Sequence, residues 1–287
     1  MKFTIDEFRA WKNKSVTLLG MSGVGKTHLS MLLRSHHWFH YSGDYRIGTR
    51  YLDEPIMDLI KQQAMQTPFL RDLLRRDWIN IQNNIKVHDL GPVMSFVGKL
   101  GNPELGGVPL DEFSRRQELY RQAEIAAMQD VPEFIRKAHE IYGYDNFVND
   151  VGGSLCELDE PSVIDLLVKH SLILYIRVTE KAEEEALISR AQSSPKPLYY
   201  RPAFLVEQLQ SYLGLRELEY AAQVDPDDFC SWVFPRLFHS RVPRYEAIAR
   251  PQGYTVTSHE VATVRDEQDF LGLLENAIAR KADELQE

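Results

Sequence analysis

Eight residues near the start, Gly20-Met-Ser-Gly-Val-Gly-Lys-Thr27, set three glycines, a lysine and a hydroxyl at the spacing of a phosphate-binding loop. Gly20, Gly23 and Gly25 let the backbone turn sharply and bring its N–H groups against phosphate oxygens. Ser22, Val24 and His28 fall within the same cradle. Lys26 is expected to reach the β- and γ-phosphates, and Thr27 to offer its hydroxyl to Mg2+. A helix opening at Lys26 turns its positive end toward the same anion. Binding of a nucleoside triphosphate, expected to be ATP, together with Mg2+ follows from these residues. The choice among kinase, ATPase and GTPase does not.

Other residues narrow that choice. A guanine-reading switch needs Asn-Lys-x-Asp, and the run "NKSV" at 13–16 precedes the loop and lacks the acid. A motor ATPase needs an apolar strand ending in paired acids, with a glutamate to activate water. Here Asp150 ends its strand and Val151 follows. A small-substrate kinase needs a base beside the acceptor hydroxyl, cations for the anionic groups and a lid that excludes water. Asp44 follows the second expected strand in "YSGDYRIGTR", at the sheet edge where open α/β folds bind ligands. A helix cap is its bland alternative. Arg46 and Arg50 come next as candidate clamps for a carboxylate or phosphate.

The elements that must hold these residues read as alternating strands and helices. Short apolar runs at 15–20, 38–42, 146–150, 171–178 and 253–258 are expected strands. Helical patterns follow the loop at Lys26 and recur at 180–192, 203–220, 226–240 and from Asp266 to Glu287. Residues 53–142 read as mostly helical, broken by the Gly- and Pro-rich stretch 98–110. The expected fold is α/β: a P-loop NTPase three-layer sandwich with a five-stranded parallel sheet and a mostly helical insertion.

These features resemble the shikimate kinase-like branch of P-loop kinases, which includes gluconate and nucleotide kinases. The resemblance spans about residues 15–50, 146–200 and 236–280. It implies that Asp44, at the matching distance after the loop, orients the acceptor hydroxyl. It implies that Gly152 and Gly153 in "NDVGGSL" line the substrate site and that Arg190 in "ISRAQSSPKPLYY" is the lid arginine. In "SRVPRYEAIARPQGYTVTS", Arg241 with Pro243 and Tyr245 matches an Arg-x-Pro-x-Tyr segment whose arginine contacts the acceptor's acidic group. Two departures stand out. Ser42 occupies the position of an acid that helps hold Mg2+ in the family, so Asp150 is the expected replacement. The segment between the second and third strands is far longer than in shikimate kinase and the lid is enlarged, so a different acceptor is expected.

The expected organisation is one P-loop kinase domain over 1–287, with a substrate-side helical insertion at 53–142 and a lid region at 190–241. The insertion carries "FLRDLLRRDW" and "EFSRRQELYRQAE". Their arginines and rings read either as a small core with a solvated basic face or as a groove for a nucleotide or nucleic acid. A kinase acting on a modified base in DNA, or an ATP-binding regulatory ATPase, are the alternative readings to a kinase for a small hydroxyl or phosphate acceptor. The formal net charge of −9 argues mildly against a non-specific nucleic-acid coat. Composition is that of a soluble protein, 44% hydrophobic and 26% charged. The start lacks an apolar signal core, no apolar run suits a membrane span, and Cys156 and Cys230 fit a reducing, cytoplasmic setting.

Overall fold

The computed structural model describes residues 3–284. Five strands form one parallel sheet: β1 (Ser15–Leu19), β2 (Trp38–Ser42), β3 (Asn146–Asp150), β4 (Leu172–Arg177) and β5 (Gly253–Thr257). Their spatial order is β2-β3-β1-β4-β5, and all four pairings are parallel. β1 is therefore central, and the order in which successive strands are added reverses beside it, where ligand crevices form in such sheets. Helices flank the sheet, among them Lys26–Arg34, Val131–Glu140, Pro161–His170 and Glu267–Glu284. This is an α/β fold of the P-loop NTPase type.

Every residue of β1 is buried, as are nearly all of β3 and β4, which is why these strands read as continuous apolar runs. Several polar side chains within the sheet bond laterally. Thr17 and Ser171 hydroxyls lie 2.7 Å apart, the Asn149 amide donates to Thr17 Oγ1 at 3.2 Å, and Ser171 Oγ donates to the Leu167 carbonyl at 2.8 Å.

Strand positions match the sequence expectation to within a residue or two. β1 stops at Leu19 because Gly20 turns away at φ 149°, where a Cβ would come within 2.7 Å of the Ile176 carbonyl oxygen. The helix expected at 226–240 instead runs Pro226–Gln252, through Pro235, Pro243 and Pro251. Proline inside a helix costs about 3 kcal/mol through a missing N–H and a steric clash. Two features offset that here. The helix buries Phe234, Leu237, Phe238, Tyr245 and Ala249 at helical spacing. The Ser231 carbonyl, which Pro235 cannot bond, receives the Gln192 amide at 3.2 Å. The last helix ends among the described residues at Glu284, and the expected extension to Glu287 lies outside them.

The chain divides into two compact units. The first comprises Met1–Gly43, Ile125–Ser194 and Ser231–Glu287, and contains the whole sheet. The second comprises Asp44–Glu124 and Pro195–Cys230. It thus draws on both the expected insertion and the expected lid region. Its core is aromatic: Phe113 and Tyr200 rings lie 6.2 Å apart, and Tyr212 meets Phe229 edge-on at 5.2 Å. Gln117 stitches the two segments together, donating to the Leu198 carbonyl at 3.1 Å and accepting the Tyr200 N–H at 2.8 Å. Tyr199 and Tyr200 are consequently buried in a stretch whose prolines read as a simple helix break.

Candidate functional site

The loop between β1 and the Lys26–Arg34 helix is the centre of the first unit's candidate site. Gly20, Gly23 and Gly25 all have positive φ, at 149°, 91° and 100°. The helix begins at Lys26 with no side-chain cap at Gly25, so its first N–H groups are left to face an anion. Val24 is buried, whereas Ser22, Thr27 and His28 are exposed. The Lys26 ammonium is almost fully buried and donates to the carbonyls of Gly20 at 2.7 Å and Met21 at 2.9 Å. Those bonds hold the charge within the loop's own curve.

Two distant segments converge on this loop. The helix Lys181–Ser193 brings Arg190 over Gly23: a Cβ built on Gly23 would lie 2.1 Å from Arg190 Nη2 and 3.2 Å from Leu187 Cδ2. The positive φ of 91° favours glycine at this position, whereas the arginine tip, being exposed and flexible, could shift to admit a methyl group. On another side, a Cβ on Gly153 would lie 3.2 Å from the Ser22 amide nitrogen and 3.7 Å from Arg241 Nη1. Gly152 is buried just before it. Tyr245 donates its hydroxyl to the Gly153 carbonyl at 2.5 Å, which fixes the glycine turn. Arg241 is 3% exposed, with Nε 3.8 Å from Glu157 Oε2, itself buried. The acceptor-contacting arginine of the sequence reading is therefore a deeply buried cation beside the glycine turn.

Burial shapes the chemistry of this wall. It raises the Cys156 thiol to about 12 and pushes the Tyr245 phenol well above its ordinary value. Both stay neutral at physiological pH, which suits packing rather than nucleophilic work. Glu157 and Leu187 were missing from the sequence reading. Glu157 stands in an acidic run that reads as surface, and Leu187 shares a helix face with Arg190, which is its one legible signal.

Asp150 ends β3, opposite Leu18 of β1 and Ser42 of β2 in the sheet register. It is buried, with Oδ2 3.6 Å from His40 Nε2. Mg2+ prefers hard oxygens, keeps several waters and shares substrate phosphates. An exposed Thr27 hydroxyl at the helix start and a carboxylate at the end of a strand paired to β1 fit that requirement. Among the described residues no three His, Cys, Asp or Glu side chains cluster as a cage. A Mg2+ arriving with a nucleotide needs none.

Asp44, Arg46 and Arg50 belong to the second unit. Asp44 and Arg46 lie in the helical turn Gly43–Arg46 directly after β2, and Arg50 in the π-helical turn Ile47–Tyr51. π-turns recur at functional positions because they widen a helix locally. The Tyr120 hydroxyl lies 3.5 Å from Asp44 Oδ1, and the Tyr120 ring stacks on Tyr199 at 5.8 Å. The Arg46 guanidinium sits 5.7 Å from the Tyr51 ring centroid, and Arg50 is exposed. Tyr120 and Tyr199 are far apart in sequence, and neither has a motif that marks it.

No family model matches the chain, and no curated protein matches it. Among solved structures it is similar to a shikimate kinase from Bacteroides thetaiotaomicron, at 14% identity and a TM-score of 0.37, covering 96% of this chain and 99% of that one. It is also similar to a shikimate kinase from Acinetobacter baumannii solved in complex with shikimate, at 12% identity and a TM-score of 0.32, covering 82% and 99%.

Proposed function

We propose that the protein is an ATP- and Mg2+-dependent kinase that transfers the γ-phosphoryl group to a hydroxyl or phosphate acceptor. The observation that carries this reading is the guanidinium of Arg190 lying against Gly23 of the phosphate loop. An arginine held there stabilises charge on a transferring phosphoryl group, which is where phosphotransferases gain most of their rate. The loop amides from Gly20 to Gly25 and the Lys26 ammonium hold the β- and γ-phosphates. Thr27 and Asp150 would hold Mg2+, which neutralises charge on the phosphate oxygens. Asp44 orients the acceptor hydroxyl and takes its proton, with Tyr120 fixing the carboxylate. Arg46, Arg50 and Arg241 hold the acceptor's anionic part. Burial of Arg241 limits it to a group that reaches the Gly152-Gly153 turn. Catalysis on this account is positioning and charge stabilisation.

ADP release measured across small hydroxyl compounds, nucleotides and modified DNA tests the proposal. An acceptor should raise release in the wild type but not in Asp44→Asn, and Lys26→Ala should abolish it. ATP hydrolysis that needs no acceptor and ignores Asp44→Asn would replace the kinase with a regulatory ATPase.

A further inference from the structure

The two most exposed large apolar side chains among the described residues are Phe69, at 70%, and Trp78, at 67%. Both stand in one short stretch of the second unit: the helix Pro68–Arg75, then Arg76, the left-handed Asp77 at φ 54°, and Trp78. The helix packs along the helix Asp53–Gln66, yet none of its residues is fully buried. Among the described residues the side chains of Arg71, Arg75 and Arg76 form no ion pair or hydrogen bond. Arg76 instead lies with its guanidinium 4.9 Å from the Trp78 ring centroid. In the same unit Arg115, Arg116 and Arg121 are each paired with a glutamate.

Exposed rings framed by arginines that have no carboxylate partner suit a partner that is anionic and flat at once, because unpaired bases stack on rings while their phosphates meet guanidinium groups. We propose that residues 69–78 are a docking surface for single-stranded nucleic acid. Trp78 and Phe69 are the stacking platforms, and Arg71, Arg75 and Arg76 the phosphate contacts. Charge complementarity supports this occupant. Three arginines stand against Asp72 and Asp77 here, while the whole chain carries −9, so this stretch repels a polyanion less than the chain as a whole does. A lipid surface fits less well: an interfacial helix lays its whole apolar face into the bilayer, and Leu70, Leu73 and Leu74 are already half-buried. The proposal goes beyond phosphotransfer and does not depend on it.

Fluorescence anisotropy of a labelled oligothymidylate with the full chain, without nucleotide, tests it. Binding is expected at about 50 mM salt and should weaken steeply by about 200 mM. Trp78→Ala should weaken it about tenfold. The Arg75→Gln/Arg76→Gln pair should lower the slope of log affinity against log salt by roughly one to two. Arg75, Arg76 and Trp78 are all exposed, and far-UV circular dichroism checks that the variants stay folded. Lys26→Ala should bind the oligonucleotide normally, which separates a failed docking surface from a failed kinase. No binding at low salt, or equal binding by wild type and Trp78→Ala, overturns the proposal. So does capture by anionic vesicles in place of the oligonucleotide, or self-association abolished by Trp78→Ala.

Discussion

Gly23 shows how tightly single residues are constrained here. Its φ of 91° is costly for residues with a Cβ, and an added methyl would push the exposed Arg190 guanidinium away from the loop. Gly23→Ala should therefore lower stability by about 1–2 kcal/mol. It should weaken ATP binding more than a surface substitution does, as read by thermal melting with and without nucleotide. Lys26→Ala should cut ADP release by about two orders of magnitude or more with the fold intact. Asp44→Asn should cut acceptor-dependent release by about 10²–10⁴-fold and leave ATP binding unchanged. Gly20 to Thr27 were legible in the sequence because their function depends on local backbone geometry within one turn. Tyr120 beside Asp44 and Glu157 beside Arg241 were not, since each pair is separated by dozens of residues and joined only by packing.

At the level of elements, the link between the helices Lys181–Ser193 and Pro226–Gln252 carries a sharper test. Gln192 donates to the Ser231 carbonyl, and Ser231 Oγ donates back to the Gln192 carbonyl, each at 3.2 Å. This contact sits two residues beyond Arg190 and uses the carbonyl that Pro235 leaves without a helical donor. Gln192→Ala should cost about 1 kcal/mol and lower kcat for phosphotransfer more than it raises KM for ATP. Pro235→Ala restores a backbone N–H to that carbonyl. In a double-mutant cycle the Gln192→Ala penalty should shrink on the Pro235→Ala background, and additive effects would show that the contact does not hold the helix. No local pattern in the chain marks this arrangement. The expected helix ended at 240, and only the buried face from Phe234 to Ala249 reveals why it continues through Pro243 to Gln252.

Across the whole molecule, buried acids with raised values set an alkaline limit. Burial lifts Cys156 and Tyr175 to about 12 and Cys230 to about 11, against 9.0 for a free thiol and 10.0 for a free phenol. Tyr245 moves the same way. The unfolded chain therefore loses these protons before the folded one does. Stability from this source is intact below about pH 9 and falls as pH rises toward 12. The melting temperature should drop between about pH 9 and pH 11, and Cys156→Ala should remove part of that drop. Both thiols should resist alkylation at about pH 8 until the protein is denatured. No helix among the described residues is long and apolar enough to cross a membrane.

The sequence by itself determined the five strands, their parallel α/β class and the phosphate loop, because hydrophobic period and glycine spacing act over a few residues. Tertiary structure alone decided that Arg190 covers Gly23, that Gly153 abuts Ser22, and that Arg241 is buried against Glu157. It also decided that residues 44–124 and 195–230 make one compact unit with a shared aromatic core. Such pairings arise from packing between segments far apart in the chain, where burial and close approach, rather than local pattern, select the partner.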